Sequence, residues 1–140
     1  MQQLNRLSFL ALTLAFMANA GAIAQDHKNK KLQKSAVGDQ EVQLEYMFNI
    51  DRDCKPYGEI RFVILKPPAN GTVTFRPYVV ASAFKQDHQS YHCNKNKSVA
   101  TAAYYVAKPG FKGTDKLKFA IVFHDGESWT YDVEMTVWGP

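Results

Sequence analysis

The side chains able to do chemistry in this 140-residue chain are few. Cys54 and Cys93 are its two cysteines, and His88 and His92 stand beside the second of them. Two cysteines serve either as a disulfide or as soft metal ligands. Imidazole with sulfur suits zinc or copper, so His88, His92 and, from a later turn, His124 make up an alternative reading as a metal-binding protein. That reading competes with the disulfide, because a bridged Cys93 offers no thiolate, and the spacing matches no strong ligand motif. Asp51, Asp53, Asp115 and Asp125 present hard oxygen of the kind calcium takes. Asp51-Arg52-Asp53 lacks the glycine and distal glutamate of a calcium loop, and the aspartates read as turn formers. No cofactor is expected.

Catalytic combinations are missing as well. Ser82, Ser90, Ser98 and Ser128 have no G-x-S-x-G context. Cys93 next to His92 does not make a nucleophile–base pair by adjacency alone. No glycine-rich phosphate loop follows a strand. The inventory predicts a protein that is not an enzyme.

The N-terminus decides the redox question. A short start carrying Arg6 leads into the apolar run Leu7 to Met17, and small residues follow through Ala24. Those parts in that order predict a signal peptide over residues 1–24. The apolar run falls short of the roughly 20 residues that span a bilayer. Export to the periplasm or out of the cell places the cysteines in an oxidising compartment, which predicts a Cys54–Cys93 disulfide. Nothing after Ala24 is long and apolar enough to cross a membrane. Loss of Arg6 takes the formal charge from +4 to +3, and so weak and diffuse a positive charge argues against nucleic acid as a partner.

The elements that must hold these residues read as strands. Residues 25–40 begin with QDHKNKKLQK, four lysines and a single leucine, and are expected to form a flexible basic tail. Period-two alternation begins at Glu41, with Val42, Leu44, Tyr46 and Phe48 on one face. Further strands are expected over 59–66, 72–75, 78–81 and 99–107, with Pro77 ending one of them. Pro67-Pro68-Ala69-Asn70-Gly71 is a turn. The clearest hairpin alternates Leu117, Phe119, Ile121 and Phe123, turns at Asp125-Gly126, and returns through Trp129, Tyr131, Val133, Met135 and Val137. Short strands at this spacing predict an all-β sandwich of about seven antiparallel strands, occupying residues 41–140.

Several blocks strengthen that expectation: Pro67 to Val73 (PPANGTV), Tyr105 to Asp115 (YVAKPGFKGTD), Leu117-Lys118-Phe119, Asp125-Gly126, and Val133 to Val137. In content and order they resemble the bacterial immunoglobulin-like and cadherin-like repeats of large surface adhesins. The resemblance covers roughly residues 59–138. It implies an immunoglobulin-like sandwich and a binding role toward a protein or glycan of the cell envelope or a host surface. Gly71 and Gly113 fall at expected corners, and Asp115 can bond loop amides as Asx turns do. The irregular stretch 76–98 departs from the repeat pattern. Its Tyr78, Phe84, Tyr91 and His92 form the candidate binding surface, because aromatics among polar residues are what such contacts use.

Overall fold

A computed structural model describes residues 27–139; the expected signal peptide lies outside them. Among the described residues seven strands form two sheets. In chain order they are β1 (His27–Val37), β2 (Val42–Met47), β3 (Ile60–Lys66), β4 (Gly71–Ala81), β5 (Lys97–Ala107), β6 (Gly113–Phe123) and β7 (Ser128–Trp138). One 3₁₀ turn, Tyr91–Lys95, sits between β4 and β5. The sheets run β1-β7-β6-β3 and β2-β5-β4, giving the expected β-sandwich.

The core is the set of alternate side chains that the two sheets turn toward each other. Phe119, Ile121, Tyr131 and Met135 from the β6–β7 hairpin are fully buried and meet Tyr105, Ala103 and Leu44 of the opposite sheet. Phe119 lies flat on Tyr131, with ring centroids 4.9 Å apart, and Phe62 packs on Phe75 at 5.2 Å. Each fully buried large side chain contributes about 1.5–3 kcal/mol. Gly71 is required by this packing: a Cβ there would fall 2.3 Å from the Tyr105 ring. Gly113 does adopt a left-handed backbone, at φ 126°.

Residues 27–37 correct the expected tail. They form β1, paired in parallel with β7 from His27 opposite Ser128 to Val37 opposite Trp138. Composition argued for disorder, but the segment also alternates. Leu32 packs on the core and Ala36 is buried, while Lys31, Gln33 and Ser35 face out. The lysines that turn inward do not bury their charge. The Lys30 ammonium sits over the Trp129 ring, 3.9 Å from its centroid, and 5.4 Å from that of Tyr131. The same parallel pair departs from the all-antiparallel scheme.

Two finer expectations change too. β2 carries a bulge between Gln43 and Glu45. The extra residue turns Glu45 toward the inner face and moves Tyr46 outside, where it meets Tyr78 at 5.6 Å. Pro77 does not end a strand: β4 runs through it, opposite Thr101 of β5. β4 is an edge strand, and its solvent side tolerates a missing donor.

Candidate functional site

Register places three connections at one end of the sandwich. Met47 at the end of β2 pairs with Thr101, and Ala81 at the end of β4 pairs with Lys97. Ile60 at the start of β3 pairs with Phe123 at the end of β6. The 48–59 loop, the 82–96 insertion and the 124–127 turn therefore emerge together. Edge-on contact between Tyr57 and His124, at 4.6 Å, joins the first to the third.

Each loop is built by its own polar residues. Asp51 accepts the amides of Asp53 and Lys55 on one carboxylate oxygen, both at 2.9 Å. This pinches the 48–59 loop and leaves Cys54 at its tip with φ 64°, the one positive φ outside glycine among the described residues. In the insertion the Asn94 side chain imitates a strand partner. It accepts from the Phe84 amide and donates to the Phe84 carbonyl, both at 2.8 Å. Phe84 stacks on His88 at 4.6 Å and meets the edge of Phe48 at 6.0 Å. The Cys54–Cys93 disulfide then ties insertion to loop, with the Cα atoms 5.4 Å apart. His92 reinforces the seam: its Nε2 lies 2.8 Å from the Arg52 carbonyl, to which it donates.

The expected surface residues divide. Tyr78 and Phe84 are half-buried: Tyr78 stays in β4, its ring on Tyr46 of β2, while the ring contacts of Phe84 hold the insertion down. Tyr91, 47% exposed, and His92 face solvent. The histidines of the metal-binding alternative are not gathered. The Nδ1 atom of His88 accepts the Ser90 amide, and His124 packs on Tyr57. Among the described residues, the trio whose ligand atoms lie within 4.8 Å of one another is Cys54, His92 and Cys93. Asp51 and Asp125 act as turn formers, the latter accepting the Glu127 amide at 3.0 Å. Asp115 accepts the Ala69 and Asn70 amides at 3.0 and 2.9 Å, so it does bind the preceding turn.

Between the two tied loops lies a cleft of about 350 Å³, lined by Asn49, Ile50, Asp51, Arg52, Tyr57, Gln89 and Ser90. Tyr57, Arg52 and Gln89 were not singled out from sequence. The signal that could have found them is the disulfide itself, since a Cys54–Cys93 bridge forces the neighbours of both cysteines together. A larger furrow, about 410 Å³, crosses the outer face of the four-stranded sheet. Ion pairs span it, Lys116 with Glu134 at 3.1 Å and Lys118 with Asp132 at 2.9 Å. That furrow is an exposed charge ladder, whereas the cleft has walls that the disulfide fixes. At the neighbouring hairpin turn, hydrogen bonds from Lys28 and then Trp129 hold the Glu127 carboxyl below its usual range.

No family model matches the chain, and neither does any curated protein. Among solved structures it is similar to a 2,6-sialyltransferase of Vibrionaceae Photobacterium sp. JT-ISH-224, crystallised with CMP and lactose. The identity is 15% and the TM-score 0.34, over 83% of this chain and 19% of that one. The chain thus spans about a fifth of that enzyme's length. Among the described residues no helix is long and apolar enough to cross a membrane.

Proposed function

We propose that this chain is an exported, non-catalytic interaction module of the cell envelope, which holds a protein or glycan at its disulfide-tied end. The observation that carries the reading is the bridge between the 48–59 loop and the 82–96 insertion. It holds Tyr57, 52% exposed and lining the cleft, and Tyr91, next in sequence to the cleft-lining Ser90, on one fixed scaffold. Binding to loops fixed beforehand costs less ordering entropy than binding to free ones, and exposed tyrosines supply contact area with few rotatable bonds. The signal-like N-terminus and the disulfide support export. The ordered blocks resembling immunoglobulin-like and cadherin-like repeats support an interaction role over a catalytic one.

The test is recovery of partners from an envelope extract by the tagged mature domain, read by mass spectrometry. The Tyr57→Ala/Tyr91→Ala variant should keep the wild-type circular dichroism spectrum and lose the enriched partner by about tenfold or more. Undiminished recovery by a folded double variant overturns the assignment of this surface.

A further inference from the structure

The disulfide has an imidazole against it, and this carries a second consequence independent of the interaction role. His92 Nε2 lies 3.6 Å from Cys93 Sγ. Zinc–sulfur and zinc–nitrogen bonds of about 2.3 and 2.0–2.1 Å, at a tetrahedral angle, put the two ligand atoms about 3.6 Å apart. The pair is therefore already spaced as two ligands of one tetrahedral cation. Cys54 supplies the third ligand atom within the same 4.8 Å cluster. We infer that Cys54, Cys93 and His92 form a redox-gated metal site, closed as a disulfide and open, once reduced, to a zinc-class cation.

The surroundings fit an open site. Cys93 is 1% exposed and forms a fixed wall, whereas His92 faces solvent and leaves a path for the ion and for a water in the fourth position. Reduction has to let the bonded sulfurs separate to about 3.8 Å, the spacing of two thiolates on a tetrahedral ion. Cys54 can make that move, because it stands at the tip of a loop whose Arg52, Asp53 and Lys55 are exposed. Its left-handed backbone gives it a further reason to relax once the bridge opens. His88 and His124 are committed to packing on Phe84 and Tyr57, so the donor set is two sulfurs and one nitrogen. Soft thiolates with imidazole select zinc or monovalent copper over calcium or magnesium.

The chemistry balances in two steps. A dithiol reductant gives two electrons and two protons to the bridge, yielding two thiols and its own disulfide. The divalent cation then displaces both thiol protons to solvent. His92 gives up its bond to the Arg52 carbonyl, its remaining proton moves to Nδ1, and Nε2 binds the metal.

The experiment titrates the protein, reduced by a non-thiol phosphine, with cobalt(II) as a spectroscopic probe and then with zinc(II). The reduced wild type should bind one equivalent, with thiolate-to-cobalt charge-transfer absorption that zinc displaces; the oxidised protein should show none. Zinc should raise the melting temperature of the reduced protein only. His92→Ala should weaken cobalt binding about tenfold or more, while His88→Ala should leave it unchanged. The inference is overturned by a missing charge-transfer band, by equal affinity in His92→Ala, or by a reduced protein that loses its strand spectrum and does not regain it with zinc. The envelope pull-down reads a different property, so the two ideas fail separately.

Discussion

Asp115 and Tyr131 are both polar and buried, and their side chains are treated differently. Asp115, 3% exposed, accepts hydrogen bonds from the amides of Ala69, Asn70 and Lys116 and from the Tyr105 hydroxyl. Asp115→Ala leaves that turn and the hydroxyl without an acceptor, and should lower stability by about 3 kcal/mol in a denaturant titration. The Tyr131 hydroxyl, by contrast, has no hydrogen-bond partner among the described residues. Tyr131→Phe should keep the ring on Phe119 and raise stability by about 1 kcal/mol, measured the same way. Burial pushes both tyrosines above their ordinary value of 10.0, with the Asp115 hydrogen bond adding to the rise at Tyr105 and the Glu45 charge at Tyr131. The folded state thus keeps protons that the unfolded chain releases. Its stability from these groups is full below about pH 10 and is lost as pH rises beyond it. The Phe variant at 131 should show a shallower alkaline decline.

At the scale of elements, β1 is the strand whose attachment is easiest to test. Its hold rests on ladder bonds to β7 and on Leu32 and Ala36. Leu32→Glu places a charge at the core margin, and should weaken docking by about 2 kcal/mol. Amide exchange in β1 should then quicken roughly thirtyfold while β6 stays protected. The β6–β7 hairpin was legible in sequence because both strands alternate cleanly around Asp125-Gly126, and local pattern and turn chemistry agree there. β1 was not legible because its partner lies about a hundred residues away and its lysines mask the alternation. The β2 bulge was hidden for a related reason, since an extra residue changes which face Tyr46 takes without disturbing the composition. Pro77 misled because a proline ends a central strand but not an edge one. In the candidate site, the cysteine pair was legible from the expected compartment and the even count. The roles of Tyr57 and Arg52 were not, because they depend on where the bridge brings two distant loops.

At the scale of the whole molecule, the bridge closes 39 residues of chain. On the chain-entropy account this stabilises the fold by about 4 kcal/mol. Cys54→Ser should lower unfolding stability by about that amount, while β-sheet circular dichroism at low temperature stays unchanged. The sandwich and the bridge divide the work: packed sheets fix where the loops start, and sulfur fixes where they meet. The parallel pairing of β1 with β7 has a mechanical meaning as well. The start of β1 lies beside Ser128 and the end of β7 beside Val37, so these two points sit at opposite ends of the sandwich. A tension applied between them slides the strands along each other and loads eleven registered residue pairs together, instead of peeling them one by one. The molecule should resist stretching most strongly along the axis on which its two terminal strands are drawn apart.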